Sequence, residues 1–372
     1  MKRALILGTG AAQVDAIRHL KKHGWWVAGC SYRREGPGLT LVDRFLLIDI
    51  ADVDGLATAA RENDVNLIYS VGSDLAMPTV AMVAKRLGLG RLIEPETATL
   101  LQDKARLRDF LARHQISPVA YRVVSDAGDI DGWDHFPAII KPTDSQGQRG
   151  VFQVESRAEA KERLSAALAA SRGGQVILEE RLDGPEVSAN VFVLDGRVVV
   201  NEISDRLVVA DFPGGIPRGH VIPAQSAPAP VLAQARALVE QCVGALGITN
   251  GPAYFQMKLT VSGPRIIEIT PRLDGCHLWR LLRHTHGVDL LDASFRILAG
   301  EPVADAITPR SRIEGCSLMF FLQPPGEVFQ RADHPAPAEA LHTEYYLDDG
   351  QVVPPVNGYL EKVGYTICRG QP

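Results

Sequence analysis

Nowhere in the 372 residues do apolar side chains run together for the roughly 18 to 20 positions that a bilayer crossing demands, so no membrane partner is expected. Cysteine is scarce: Cys30, Cys242, Cys276, Cys316 and Cys368 are odd in number, widely scattered and without C-x-x-C spacing. That argues against zinc and redox frameworks and fits a reducing, cytoplasmic setting. An excess of positive charge is also missing. Lysine and arginine total 39 against 44 acids, a net charge of -5, which gives nucleic acid or an anionic surface no electrostatic pull. The opening MKRALILGTG lacks a long apolar stretch ahead of a small-residue cleavage site, so it reads as a first strand rather than a secretory leader. Without repeats or low-complexity tracts, the chain reads as globular and long enough for two or three domains.

What the chain does contain is a regular alternation. Residues 4–7, 25–32, 45–48 and 67–72 read as strands, and residues 14–22, 54–62 and 78–87 as helices. Such alternation implies a parallel sheet with helices on its faces, so residues 1–93 are expected to form a small doubly wound α/β domain. The turn GTGAAQ begins like the dinucleotide fingerprint G-x-G-x-x-G. Yet Gln13 stands in place of the third glycine, and CSY occupies the position of the ribose-binding acid, so a plain strand-to-helix turn is favoured over nicotinamide binding. From residue 95 one helix is expected through ETATLLQDKARLRDFLARHQ, with Leu100, Leu107, Phe110 and Leu111 at helical spacing. Strands over 116–124 and in PAIIKP and QVILEERL, with a helix over 158–170, come next. Asp195-Gly196 marks a hairpin, residues 229–246 a helix, and residues 251–270 a β pair turning at 262–264. From residue 312 the tail is β-like and proline-rich, with no helix expected.

Three stretches carry chemistry. In FQMKLTVSGPRIIEITPR, side-chain alternation puts Gln256 and Lys258 on one face and Ile267 and Ile269 on the apolar face. A turn centred on Ser262 sets Gln256 opposite Glu268, with Thr270 in the same polar row. Such oxygen donors suit Mg²⁺, although an amphipathic hairpin with one solvated face would look the same. Arg272, just beyond, can grip a phosphoryl or carboxylate group with two parallel hydrogen bonds. In PAIIKPTDSQGQRG, Lys141 leaves an apolar strand at a shielded place, where an ammonium needs an anion opposite it. The loop after it (Asp144, Ser145, Gly147, Arg149, Gly150) offers backbone N–H groups, glycines and a second cation, as phosphate cradles do, or as an ordinary solvated loop does. In VILEERLDGPEVSA, Glu179 and Glu186 stand seven apart; they could be an acid/base pair or could accept from an adenine amino group and a ribose. The backbone at Glu180 and Leu182 can meet a purine edge.

In this order and spacing the three stretches resemble the ATP-grasp superfamily over roughly residues 95–300. Within it they are most similar to the carbamoyl-phosphate-synthase-like branch that includes L-amino-acid ligases. The segments VGSDLAMPTVAMVAKRLGL, SDR followed by GHVIPA, and GVDLLDASFRILAGE carry that closer likeness. The resemblance implies a multidomain α/β and α+β chain: a small doubly wound parallel domain over 1–93, an ATP-grasp domain over 94–300 with a lid at about 118–183, and a β-rich region over 301–372. It further implies that Lys104 and Lys141 hold ATP phosphates, that residues 144–150 form a mobile lid, and that Glu179 with the Glu180 and Leu182 backbone takes adenine. Glu186 would take the ribose, and Gln256 and Glu268 Mg²⁺, or Mn²⁺ in its place. Gln256 follows the carbamoyl-phosphate synthases where most such ligases have glutamate, and Thr270 stands where the family usually has asparagine.

The activity so implied is an ADP-forming carboxylate–amine ligation through an acyl phosphate. Small acids and amines are its expected partners, without nucleic acid or membrane, and a two-fold homodimer is a common assembly at this size. A carboxylase acting through carboxyphosphate and a nucleotide-binding module without turnover are the alternatives. Asp274 and Gly275 border the metal strand and are expected to contact substrate. His220 and His277 could do so too, or shuttle a proton, or be packed histidines. Asp205 is either a substrate contact or half of a surface ion pair with Arg206. His284 and His286, two apart on a helix, point to different faces, which argues against a shared metal.

Overall fold

The computed structural model describes residues 1–145, 147–209, 212, 215–310, 313 and 315–370. The first unit is a parallel sheet of β1 (Arg3–Leu7), β2 (Trp26–Ser31), β3 (Arg44–Leu47) and β4 (Leu67–Tyr69), in the order β3-β2-β1-β4. Helices α1 (Ala11–Lys22), α2 (Val53–Glu62) and α3 (Ala76–Leu87) connect and follow these strands. β4 and residues 4–7 of β1 are buried and apolar, as strands covered on both faces must be. Helix α1 starts three residues earlier than periodicity suggests because Gln13 folds back on the turn. Its Oε1 accepts from the Gly10 N–H at 3.0 Å and its Nε2 donates to the Val71 carbonyl. The same side chain covers Gly8, where an added Cβ would lie 2.9 Å from Gln13 Cδ. The glutamine therefore fills the concavity that a dinucleotide pyrophosphate would need above this turn.

The helix expected from residue 95 is two helices, α4 (Pro95–Gln102) and α5 (Lys104–Arg113). Asp103 is extended, and its carboxylate accepts from the N–H groups of Ala105 at 2.8 Å and Arg106 at 3.0 Å, a side-chain cap that starts a new helix. Lys104 becomes the first helical residue, with Arg108 one turn on along the same face. The part expected as a lid follows, built from β5 (Tyr121–Val124), β6 (Ala138–Pro142), β7 (Phe152–Val154), α6 (Arg157–Ala169) and β8 (Val176–Glu180). Its antiparallel sheet runs β5-β8-β6-β7. Trp133, Ile140, Leu164 and Leu178 give this part a core separate from the main one. The strand expected over 116–124 is confined to its last four residues, and the loop over 144–150 includes residue 146, which lies outside the described residues.

The remaining strands are β9 (Glu186–Leu194), β10 (Arg197–Val208), β11 (Pro217–Ile222), β12 (Gly251–Thr260), β13 (Gly263–Thr270), β14 (Cys316–Gln323), β15 (His342–Tyr345) and β16 (Glu361–Arg369). Among the described residues they form one sheet in the order β13-β12-β9-β10-β11-β14-β16-β15, so the C-terminal strands extend the sheet that carries the polar hairpin. Helices α7 (Ala229–Leu246), α8 (Leu278–His286), α9 (Leu290–Leu298) and α10 (Ala304–Ile307) complete the chain.

The β12–β13 hairpin turns over Val261 and Ser262, with Thr260 paired to Gly263, rather than over 262–264. That turn alone would set Gln256 opposite Ile267. A bulge intervenes: Met257 pairs with Ile266 and Gln256 with Glu268. The expected Gln256–Glu268 pairing is present, but an extra residue creates it, and Ile267 joins the polar face instead of the apolar one.

Candidate active site

A cavity of about 570 Å³ lies between the lid sheet and strands β9, β12 and β13. Eleven of the residues singled out from sequence line it: Lys104, Lys141, Ser145, Gly147, Arg149, Glu179, Glu180, Leu182, Glu186, Gln256 and Glu268. On the lid side, Lys141 Nζ lies 2.6 Å from Glu179 Oε2, and Arg108 Nε donates to Glu179 Oε1 at 2.7 Å. All three side chains are almost fully buried. Burial alone would raise the Glu179 carboxyl, but Arg108 and then Lys141 overcome it and hold the group at about 2. Burial pushes the Lys141 ammonium below the usual lysine range, with Glu179 opposing the shift. One carboxylate facing two cations leaves a net positive charge on the cavity wall. Lys141 thus has its anion, and Glu179, which lines the cavity, carries one cation on each carboxylate oxygen.

Helix α5 contributes the next cation. Its N-terminus is tied to the lid by the Lys104 N–H, which donates to the Thr143 carbonyl at 2.9 Å. Lys104 Nζ donates to the Ser145 carbonyl at 2.7 Å and lies 3.7 Å from Glu268 Oε1. Across the cavity, Glu186 accepts from Arg206 and, at 2.6 Å, from Gln256 Nε2, with Lys258 Nζ 3.6 Å away. The Gln256 amide nitrogen is therefore engaged, and its oxygen is the atom it can offer a cation.

Nine candidates lie outside this lining. Asp144 accepts from Ser171 Oγ and from the N–H groups of Arg172 and Gly173, which anchors the base of the loop. Gly150 has φ 71°, and a Cβ there would come within 2.6 Å of Ala170 Cβ. Thr270 is buried, with an Oγ1 that has no hydrogen-bond partner. Arg272 is bound to Asp74 through Nε at 2.7 Å and Nη2 at 2.6 Å; burial disfavours its charge, but Asp74 more than restores it. Asp274 caps the N–H groups of Cys276 and Leu278, and Gly275 packs against Gly72.

His277 lies 2.8 Å from both Asp15 Oδ2 and the Tyr346 hydroxyl and stacks on Tyr365. His220 is fully buried; burial, then Arg206 and Lys362, hold its imidazole well below the usual range, which makes it a poor proton carrier. Asp205 and Arg206 do not form a surface ion pair. Adjacent strand residues face opposite ways, so Asp205 accepts from Gln225 and Ser226 while Arg206 binds Glu186. Sequence reasoning missed Arg108, and it weighed Arg206 without its contact to Glu186. The first carries a signal, four residues after Lys104 and on the same helical face; the second becomes visible only when β9 and β10 are paired.

Residues 134–278 match the ATP-grasp domain family. Over that stretch the chain is similar to ATP-grasp domains. The L-amino acid ligase of Bacillus licheniformis has a similar fold over 99% of this chain and 93% of its own, with a TM-score of 0.82 at 17% identity. Mouse carnosine synthase 1 is 26% identical over 322 residues, 80% of this chain and 38% of that protein. The phosphoribosylamine–glycine ligase of Pyrococcus abyssi is 28% identical over 209 residues, 53% of this chain and 47% of its own. The chain therefore spans less than half the length of either relative. Among the described residues no helix is long and apolar enough to cross a membrane.

Proposed function

We propose that the protein is an ATP-dependent, ADP-forming carboxylate–amine ligase that joins a small carboxylic or amino acid to an amine through an acyl phosphate. One observation supports this above the rest: Lys104 and Lys141 approach a single cavity from the helix and lid side, while Gln256 and Glu268 line it from the hairpin. On this reading the two lysines hold phosphates, the backbone at Glu180 and Leu182 meets adenine, and Glu186 takes the ribose. Glu179, held between Arg108 and Lys141, positions those cations instead of touching the base. The working parts are residues 1–93, residues 94–300 with a lid at about 118–183, and residues 301–372.

Mg²⁺ fits the donor set of the hairpin. Gln256 and Glu268 are opposed across β12 and β13 and offer hard oxygen donors, whereas Thr270 lies outside the cavity lining, so one cation is expected there and not two. A bound Mg²⁺ would neutralise phosphate charge. In the first step a carboxylate oxygen attacks the γ-phosphorus, the bond to the β–γ bridging oxygen breaks, and ADP leaves. The amine nitrogen then attacks the acyl carbon, phosphate departs with the electrons of the C–O bond, and the nitrogen gives up a proton. Positioning and charge neutralisation carry such chemistry, and Lys104 and Lys141 supply them. Closing the lid keeps water from the acyl phosphate. Arg272 is proposed to meet the developing phosphoryl charge once Asp74 yields.

The test supplies Mg-ATP with panels of amino acids and amines and measures ADP, phosphate and product mass. ADP release that requires both an acid and an amine, with a condensed product, is the expected result. Stimulation by bicarbonate alone would point to carboxyphosphate chemistry, and a nucleotide-induced melting shift without turnover on any panel would point to a binding module.

A further inference from the structure

A second cavity, about 670 Å³, opens between α1, α8, α9 and β15. His19 of α1, His23 at its C-cap and Asp292 of α9 line it, and one potential ligand atom from each lies within 4.8 Å of the other two. We propose that these three side chains form a binding site for a zinc-class divalent cation, with the fourth coordination position open to the cavity.

Spacing supplies the first argument. His23 caps the C-terminus of α1 four residues after His19, its N–H donating to the His19 carbonyl at 3.2 Å, and the two ring centroids are 4.3 Å apart. Distances supply the second. His19 Nε2 lies 3.4 Å from Asp292 Oδ1; ligands about 2.0 to 2.2 Å from a tetrahedral ion are separated by roughly 3.3 to 3.5 Å. His23 is exposed, so a small ring rotation closes the triangle.

The groups behind the ligands supply the third argument. His23 Nδ1 lies 2.8 Å from the His19 carbonyl, which only an Nδ1–H can satisfy, so the lone pair falls on Nε2. Asp292 Oδ2 is held by Arg296 Nε at 2.7 Å, while Oδ1 faces His19. Metal-binding imidazoles and carboxylates are commonly oriented by such outer partners. Two imidazoles and one carboxylate form a donor set that zinc accepts with a fourth place left for water or an anion. Arg18, Arg280 and Arg283 also line the cavity, so an anionic fourth ligand would meet favourable charge. The bound ion would tie the first parallel unit to the helix pair that follows the polar hairpin, apart from the cavity proposed for ATP.

The test titrates the full chain, free of nucleotide, with Zn²⁺ by calorimetry and thermal melting, and with Co²⁺ by visible absorption. One ion per chain, a raised melting temperature and a tetrahedral cobalt spectrum are expected. His23→Ala, an exposed change, should weaken binding at least tenfold and leave ATP turnover unaltered, and Asp292→Asn should weaken it as well. Glu268→Gln should retain the site, which separates it from the hairpin carboxylate. Absence of binding at sub-millimolar Zn²⁺, or equal affinity in wild type and His23→Ala, would overturn the assignment.

Discussion

Replacing Glu179 by glutamine keeps the shape of the side chain and removes the single negative charge that Arg108 and Lys141 share. Both cations are nearly out of contact with water, with 3% and 7% side-chain exposure, so neither can recover its lost partner from solvent. A carboxyl held at about 2 instead of 4.5, at about 1.4 kcal/mol per pH unit, stabilises the fold by about 3 kcal/mol at neutral pH. Removing one partner from a buried ion pair costs about 3 to 5 kcal/mol in general, so the two routes agree. Urea unfolding at pH 7, followed by circular dichroism, should show Glu179→Gln weaker by that amount. The sign with pH is also determined. The folded carboxyl is depressed, so its contribution is complete above about 4.5 and is lost as pH falls towards 2. Wild type should lose this stability through that window, and the variant should show no such loss from this group. Adding Lys141→Met, which removes one of the stranded cations, should recover part of the deficit. A loss under about 1 kcal/mol in Glu179→Gln, or an acid limb identical to wild type, would refute the reasoning.

Two further substitutions test how the cavity is built. Glu268→Gln should lower turnover far more than nucleotide affinity, measured as kcat against the ATP-induced melting shift; wild-type turnover would remove the hairpin from metal binding. Asp103→Ala deletes the cap on α5 and should cost about 1 kcal/mol in urea unfolding. Because Lys104 begins that helix, ATP affinity should fall as well, and unchanged affinity would show that the cap does not position the lysine.

Periodicity in the sequence was enough to place most strands and helices of the parallel unit and the polar hairpin, because buried strands and amphipathic helices impose short-range patterns. It failed where one polar side chain overrode the pattern. Asp103 sits inside an apolar-periodic stretch and splits it, since a carboxylate accepting from two N–H groups outweighs continuation of the helix. Gln13 extends α1 backwards for a related reason. The Gln256–Glu268 pair was anticipated, yet the bulge at Ile267 that creates it left no local mark.

Candidate residues fared according to the range of their contacts. Lys141, Glu186 and Gln256 sit on strands β6, β9 and β12 and line the cavity, though only the facing of Gln256 was counted from sequence. Asp274 and His277 follow the same hairpin, but their partners decide their work: Asp274 caps α8, and His277 reaches Asp15, 262 positions earlier. Arg272 is likewise claimed by Asp74, 198 positions away. Pairings at such separation exist only once the units have docked.

The order of the large sheet has one last consequence. Strand β14 pairs with β11 on one side and β16 on the other, and β11 itself pairs directly with β10, the strand that carries Arg206. A chain cut short before β14 would leave the β11 border unpaired, and a bare border of that kind invites strands from other molecules. Such a truncation is expected to precipitate, even though every residue lining the cavity proposed for ATP would still be in place.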